Sequence, residues 1–173
     1  MKLLIIGAGG YGKLVKEIAE MTGYETIDFL DDDNPSAVGK IDDLEAIESQ
    51  YDGSIVAIGN PDIREKIFKH LKFPVSLVHP SAVISKNATI GRGCVIEALA
   101  VVNSFAVVKD GTFICAGAVV NHDSKVGEFC QIDCNSVVAM GSEVPCKMKI
   151  NSCTVFIKKP EMAREFDSEN FFL

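Results

Sequence analysis

The sequence has no excess of positive charge and no long apolar segment. Its 173 residues include 17 Lys+Arg against 24 Asp+Glu, and the resulting formal charge of -7 attracts neither nucleic acid nor an anionic membrane surface. No apolar run reaches the roughly 18 residues of a membrane span, and the N-terminus lacks the small-residue cleavage site of a secretory signal. We therefore expect a cytoplasmic protein with no nucleic-acid partner and no membrane span.

Patterns of metal ligands are missing as well. The six cysteines include no Cys-x-x-Cys pair, which argues against a zinc knuckle, and in a cytoplasmic chain they should stay reduced. There are only three histidines, namely His70, His79 and His122. The sequence predicts no metal cofactor.

Leucine and tyrosine nearly vanish from the second half, where a six-residue repeat begins. Between Val78 and Val155 there is one leucine, Leu99, and no tyrosine. Every sixth residue from Val78 to Ile150 is Val or Ile, and the fifth residue of each hexad is small except for Met148. A helix of about 3.6 residues per turn would spread these residues around its surface, and a hairpin strand would alternate every second residue. The repeat excludes both.

A strict hexad is typical of the left-handed parallel β-helix, in which three hexads form one triangular coil. The β-branched first residue of each hexad then points into the prism, where such side chains pack well. Cys94 and Cys130 occupy fifth positions, so we predict that they are small core residues. Residues 78–157 are therefore expected to form an all-β prism, followed by a C-terminal cap over residues 158–173, in which Met162, Phe166, Phe171, Phe172 and Leu173 are apolar.

Residues 1–77 alternate between strand-like and helix-like segments. The expected order is strand, helix, strand, helix, strand, helix and strand, at Leu3–Ile6, Lys13–Met21, Thr26–Leu30, Leu44–Ser49, Ser54–Ile58, Asp62–Lys72 and Pro74–Val78. This alternation predicts a small Rossmann-like α/β domain with a parallel sheet, whose ligands bind beyond the carboxyl ends of the strands.

A glycine-rich segment lies between the first strand and the first helix. Gly7, Gly9 and Gly12 match G-x-G-x-x-G, and acidic residues 31–33 follow about 20 residues later. Backbone N–H groups at the start of a helix can hold a phosphate. Because the segment has the size of one mononucleotide half, a nucleotide or nucleotide diphosphate fits better than a dinucleotide. The alternatives are that the glycines only form a tight turn and that the acids lie in a solvated loop.

Several motifs together resemble one family along nearly the whole chain. They are the Gly-Ala-Gly-Gly loop, Phe29–Asp32, Gly59-Asn60 with Arg64, residues 78–82 (VHPSA), residues 121–123 (NHD) and residues 126–129 (VGEF). In this order they resemble the bacterial sugar acetyltransferases of the PglD/NeuD type, a left-handed β-helix group that contains UDP-N-acetylbacillosamine N-acetyltransferases and sialic-acid O-acetyltransferases. The resemblance implies an acetyl-CoA cosubstrate, a nucleotide-sugar acceptor, a homotrimer and an active site between adjacent subunits.

The resemblance also implies roles for individual residues. His122 would be the general base, since an imidazole can take a proton from the attacking amine at neutral pH, and Asp123 would orient it. A backbone N–H one coil beyond His122 would stabilise the thioester oxygen, at Met140 or Gly141. The nucleotide sugar would bind Gly7, Gly9, Gly10, Tyr11, Asp31, Asp32, Gly59 and Asn60. Acetyl-CoA would bind Gln131, Met140, Gly141 and Lys158. Independently of the resemblance, the late lysines Lys147, Lys149, Lys158 and Lys159 could meet its phosphates, or they could form a solvated face.

The chain departs from the family pattern at some positions. Tyr11, Cys115 and Gln131 replace the family's His, Asn and second His, and the usual C-terminal coil is missing. In the family these positions help to shape the acceptor pocket, so the departures bear on the acceptor sugar more than on the type of reaction. Alternatives to N-acetyl transfer are sugar O-acetylation and a nucleotide-sugar-binding protein without activity. A nicotinamide-dependent reductase would use the glycine loop but would not account for the hexads. A β-helix zinc enzyme would need three His ligands in the repeat, which has only two.

Overall fold

The computed structural model describes residues 1–158, and the first half of this range is a three-stranded parallel sheet with helices on both faces. The strands β1 (Lys2–Ile6), β2 (Thr26–Leu30) and β3 (Gly53–Val56) lie in the order β2-β1-β3. The helices are α1 (Gly10–Met21), α2 (Leu44–Ile47) and α3 (Pro61–Phe68), with 3-10 turns at Ile41–Asp43 and Glu48–Gln50.

Alternation along β1 fills two cores. Leu3 and Ile5 face α1 and the second half of the chain, whereas Leu4 and Ile6 face α2 and α3. All four side chains are fully buried, as expected for a parallel strand covered on both faces. The central strand is thus packed on both faces up to the point where the glycine-rich loop begins.

The second half is a left-handed parallel β-helix, as the hexads predict. Its short strands stack into three faces of a prism. The first face contains β4 (Leu77–Val78), β7 (Val95–Ile96), β10 (Phe113–Ile114), β13 (Gln131–Ile132) and β16 (Lys149–Ile150). The second contains β5 (Val83–Ile84), β8 (Val101–Val102), β11 (Val119–Val120), β14 (Val137–Val138) and β17 (Val155–Phe156). The third contains β6 (Thr89–Ile90), β9 (Val107–Val108), β12 (Lys125–Val126) and β15 (Glu143–Val144).

The register of the prism confirms the hexad prediction. Val78 pairs with Ile96, so residues 18 apart lie one above the other. The Val and Ile side chains at first positions form one continuous core, and Cys94 and Cys130 are fully buried within it. We number the coils from the first face: coil 1 (77–94), coil 2 (95–112), coil 3 (113–130), coil 4 (131–148) and coil 5, described to residue 158.

A feature that the hexad pattern did not predict is the backbone at the corners. From Gly93 onward, the fourth residue of each hexad has a positive φ, at Gly93, Leu99, Phe105, Gly111, Gly117, Asp123, Phe129, Asn135, Gly141, Lys147 and Cys153. Glycine adopts this left-handed conformation freely, and Asn or Asp adopts it more readily than bulky residues do. A Leu or Phe at such a position is strained by about 1 kcal/mol or more.

The three faces of the prism differ in what covers them. Leu77, Val95 and Phe113 on the first face are buried against the α/β part. The third face is polar, with a Lys125–Glu143 ion pair at 2.8 Å. The second face carries a column of outward-pointing valines that no other part of residues 1–158 buries completely: Val83, Val101, Val119, Val137 and Val155.

A buried arginine fastens the α/β part to the prism. The Arg64 side chain is 1% exposed, and its guanidinium stacks 4.1 Å from the ring centre of Phe113. Its N–H groups donate to carbonyl oxygens of both parts, on Ile58 (2.7 Å), Gly59 (2.9 Å), Gly111 (2.8 Å), Phe129 (2.6 Å) and Cys130 (3.4 Å). Burial lowers the pKa of Arg64 to about 10, so the side chain still carries its charge at neutral pH.

Some predicted elements were wrong in extent. The predicted strand Pro74–Val78 divides, because Pro74 bridges to Ser54 of the α/β sheet whereas Leu77–Val78 already belongs to the prism. The helix predicted at Asp62–Lys72 ends at Phe68, since the chain must turn there toward the prism. The predicted cap at 158–173 lies outside the described residues except for Lys158. None of the helices in residues 1–158 is long and apolar enough to cross a membrane.

Candidate active site

The glycine loop leaves the start of α1 open. Gly7 has φ +105°, and a Cβ on Gly12 would overlap the carbonyl oxygen of Gly7, so both positions require glycine for the tight turn. Gly9 and Gly10 have nothing within 4 Å of a Cβ and are exposed. Gly9 caps α1 without a side-chain hydrogen bond, so its first N–H groups are available to an anion.

Replacing Gly12 with alanine is expected to destabilise the α/β part, because the new methyl group would meet rigid backbone instead of a flexible side chain. We expect a loss of about 1–3 kcal/mol in the free energy of unfolding, as for other overpacked sites, measured by urea denaturation. The matched control is Gly10→Ala, where a Cβ meets open space. Equal stability of the two variants would contradict the tight-turn role of Gly12.

The predicted acidic and amide ligands near this loop are partly occupied by the chain itself. Asp31 Oδ2 accepts from the Ala8 N–H at 2.7 Å, and its Oδ1 accepts from the N–H groups of Asp33 and Asn34. These bonds, the Ala8 N–H first, hold the pKa of Asp31 below its usual value. Asn60 Oδ1 caps α3 by accepting from Asp62 and Ile63. Asp31 and Asn60 therefore shape the loops of the site.

A groove opens beside Asp32 between the two outer helices. It has a volume of about 480 Å³ and lies between α2 and α3, with an apolar wall of Ile41, Leu44, Ile63 and Ile67. Asp32 Oδ1 accepts from the Ile41 N–H at 3.0 Å at one end of it. Because Asp32 follows β2, the groove adjoins the carboxyl edge of the sheet.

His122 and Asp123 form a hydrogen-bonded pair at the corner between the second and third faces. His122 Nδ1 donates to Asp123 Oδ2 at 2.7 Å, since a carboxylate can only accept. The His122 side chain is 50% exposed, and Nε2 has no hydrogen-bond partner within residues 1–158. Asn121 Oδ1 accepts from the His122 N–H at 2.8 Å and fixes the backbone there. The pair thus leaves Nε2 of the imidazole facing solvent.

The residues stacked above His122 belong to the same corner. Met140 is one coil beyond it and Lys158 two coils beyond, and both are exposed. The two predicted N–H donors differ, because the Gly141 N–H is already donated to the His122 carbonyl at 3.1 Å. The Met140 N–H makes no hydrogen bond within the described part of the chain and is therefore the available donor.

Gln131 lies apart from these corner residues. It is on the first face, in register between Phe113 and Lys149, one coil beyond the Phe113 ring on which Tyr11 of the glycine loop packs. Two of the predicted phosphate-binding lysines are engaged elsewhere: Lys147 pairs with Asp62 (2.7 Å) and Glu65 (2.6 Å), and Lys149 pairs with Asp133 (3.2 Å). These ion pairs compete with a phosphate for the two ammonium groups, and Lys159 lies outside the described residues.

The glycine loop and His122 lie on opposite sides of the prism but at the same level. The Tyr11 ring packs on Phe113 of the first face, with ring centres 4.6 Å apart. His122 is at the corner opposite that face, also in coil 3. One small ligand cannot contact both groups within one chain.

Sequence reasoning missed a buried polar group beneath the glycine loop. The Tyr11 hydroxyl is buried without a hydrogen-bond partner within residues 1–158, and burial together with the charge of Glu97 raises the pKa of Tyr11. Glu97 and Cys115 are 5% and 3% exposed. The sequence signal for this buried group was Glu97, a charged residue at the second hexad position, directly after the core residue Ile96. Within residues 1–158, no cluster of three or more His, Cys, Asp or Glu is placed to hold a metal ion.

Comparison with known proteins matches both halves of the chain. The family model of the PglD N-terminal domain matches residues 2–71, and that of the GMPPB C-terminal domain matches residues 72–169. UDP-N-acetylbacillosamine N-acetyltransferase of Bacillus subtilis is 28% identical over 114 residues, which are 54% of this chain. The match spans only half of that curated relative, 50% of its length.

Two solved structures are similar over most of the chain. The acetyltransferase domain of PglB from Neisseria gonorrhoeae, in complex with acetyl coenzyme A, is 32% identical with a TM-score of 0.84, covering 91% of this chain and 82% of that one. PerB from Caulobacter crescentus, in complex with CoA and GDP-perosamine, is 25% identical with a TM-score of 0.80, covering 92% and 90%.

Proposed function

Because the chain belongs to the PglD-type sugar acetyltransferases, we propose that it transfers the acetyl group of acetyl-CoA to the amino group of a nucleotide-linked amino sugar. The similar PglB domain binds acetyl coenzyme A, and the similar PerB binds CoA with GDP-perosamine. The observation that carries the proposal is the His122–Asp123 pair, stacked in one corner below Met140 and Lys158.

His122 acts as the general base. The amine of the sugar attacks the thioester carbon, and His122 Nε2 takes a proton from the attacking nitrogen. The C–N bond forms and the C–S bond breaks, and the same proton then passes from His122 to the departing CoA thiolate. Asp123 holds Nδ1 protonated at 2.7 Å, so that Nε2 keeps its lone pair, and it stabilises the imidazolium during transfer.

The Met140 N–H stabilises the oxygen of the thioester. Negative charge develops on this oxygen during the attack, and a fixed N–H donor lowers the energy of that state. Met140 is in register one coil beyond His122, about 4.8 Å along the prism. Lys158, one coil further, is exposed at the same corner and can meet a phosphate of acetyl-CoA as a point charge.

The acceptor binds to the α/β part, residues 1–77, and the prism, residues 78–157, carries the acetyl donor. The diphosphate lies against the free N–H groups after Gly9, with Gly10 and Tyr11 in the same turn. The nucleoside extends past Asp32 into the 480 Å³ groove. The sugar points toward Gln131, past the carboxyl edge of the sheet, where Gly59 follows β3.

The active site lies between copies of the chain in a homotrimer. Two observations support this: the glycine loop and His122 are on opposite sides of one prism, and the second face is an uncovered column of valines. A three-fold axis parallel to the prism leaves the level of every residue unchanged. His122 of one copy therefore meets the next copy at coil 3, the level of its glycine loop.

The test is thiol release from acetyl-CoA with a panel of UDP-, GDP- and CMP-linked sugars, each as the amino sugar and as the matching hydroxyl sugar. We expect release with at least one amino sugar and an N-acetylated product by mass spectrometry. An O-acetylated product would show that the acceptor group is a sugar hydroxyl instead of an amine. No release with any sugar, while a nucleotide sugar still raises Tm by binding the folded state, would favour a binding protein instead.

A further inference from the structure

The exposed apolar side chains of the prism are confined to one side. Between residues 78 and 158, the large apolar side chains that are exposed all lie on the second face or at one of its two corners: Val83, Leu99, Phe105, Met140, Val155 and Ile157. The third face, which is also uncovered, has none of them. Random scatter of single exposed side chains is normal, whereas a grouped set marks a contact surface.

Leu99 and Phe105 are the most unusual members of this set. They are 69% and 63% exposed, and both have the left-handed backbone, with φ of 60° and 61°. Hydrogen bonds from the Leu99 N–H to Ser81 Oγ (3.1 Å) and from the Phe105 N–H to the Asn87 carbonyl (3.2 Å) hold these backbones in place. Each residue is thus strained and has its apolar side chain in solvent.

The equivalent position at the corner between the third and first faces shows how such a side chain packs when another part of the chain covers it. Phe129 has φ 56° and is only 5% exposed, because its ring packs edge-on against Phe68 of α3 at 5.5 Å. The α/β part provides this cover at the corner between the third and first faces. Nothing in residues 1–158 provides it for Leu99 or Phe105.

Leu99 and Phe105 lie on the same coil at opposite edges of the second face. Leu99 is at the corner between the first and second faces, and Phe105 is at the corner between the second and third. A three-fold axis that faces the second face brings the Phe105 corner of one copy against the Leu99 corner of the next. Rotation about this axis keeps both residues in coil 2.

We propose that Phe105 of one copy packs against Leu99 of the next copy, and that this contact, repeated three times, sets the alignment of the trimer; the inference rests on the proposed function for the trimer itself. The contact is heterologous and closes after three copies. It lies one coil from His122, so it positions that side chain against the corner of the next copy formed by Cys115 and Ala116, beneath its glycine loop.

The experiment measures association without any substrate. Phe105→Asn and Leu99→Asn each remove the apolar side chain, and asparagine tolerates the left-handed backbone. Sedimentation equilibrium should give a trimer dissociation constant raised by about 30-fold or more for each variant, as expected for a hot-spot residue. Circular dichroism should show that both variants fold. Phe73→Asn is the matched control, since Phe73 is 47% exposed away from the second face and its loss should leave the trimer unchanged.

A charge pair tests which residues meet. Phe105→Glu and Leu99→Lys should each weaken the trimer, and the double variant should restore it, because every Glu would face a Lys of the next copy. Wild-type association constants in both asparagine variants, a double variant no better than the single ones, or a wild-type chain that is not a trimer would overturn the contact. A wild-type trimer that releases no thiol with any sugar would refute the proposed reaction and leave the contact standing.

Discussion

Replacing His122 with alanine is expected to lower kcat for acetyl transfer by about 10²- to 10⁴-fold, the range that a positioned general base contributes. The hydrogen bond to Asp123 and the free Nε2 make His122 the one histidine with this geometry in residues 1–158. Tm should stay within the error of the wild type, because the side chain is half exposed. The measurement is single-turnover transfer with both substrates saturating, so that weaker binding cannot imitate slower chemistry.

Two further variants make the His122 result specific. Arg92→Met removes another exposed basic side chain, which is paired with Asp110 at 3.1 Å at the corner between the third and first faces, and should leave kcat unchanged. Asp123→Asn keeps the left-handed backbone but replaces the carboxylate, and it should lower kcat by less than His122→Ala. A His122→Ala protein that keeps wild-type kcat would refute the general-base role. A loss of Tm equal to that of a core variant would show that the effect is one of folding.

Replacing Arg64 with methionine should produce the largest loss of stability. The substitution leaves five carbonyl acceptors, on both parts of the chain, without the donors that satisfy them in a water-excluded site. Breaking a buried charged network costs about 3–5 kcal/mol, which lowers Tm by about 10 °C or more in a chain of this size. Arg64→Lys should be nearly as harmful, because one ammonium group cannot reach carbonyls of Ile58 and Phe129 together.

Differential scanning calorimetry provides the check on Arg64. The control is Arg92→Met, which removes a 68% exposed arginine paired with Asp110 at 3.1 Å and should cost no more than about 1 kcal/mol. If Arg64→Met also separates the two parts, the transition should divide into two. A single transition at the wild-type temperature would contradict the role of Arg64 as the fastening group.

The sequence predicted the prism well because its core is local and periodic. A Val or Ile at every sixth position, from Val78 to Ile150, allows one coil geometry, and the observed register follows from it. The glycine loop was predictable for a similar reason, since Gly7 and Gly12 are required within one turn. Each of these features depends on residues that are close in the chain or repeated along it.

Other features could not be predicted because they depend on how the two halves dock. Arg64 reads as one of several charges on a short helix, and only the docked prism buries it. The engagement of Lys147 by Asp62 and Glu65 has the same origin. The resemblance implied that Asp31 binds the nucleotide sugar, whereas in the structure both of its carboxylate oxygens accept N–H groups of the chain itself, that of Ala8 among them. The placement of the glycine loop opposite His122 likewise follows from docking alone.

The register of the prism also limits how its length can change. A single inserted residue would move every later Val and Ile from the core to the surface and shift the left-handed corners onto residues that resist that backbone. Length can therefore change only by whole coils. His122, Met140 and Lys158 follow one another along their corner at intervals of one coil, about 4.8 Å each. The length of acetyl donor that this corner can bind is therefore set by the number of coils, and the substitution of single side chains does not change it.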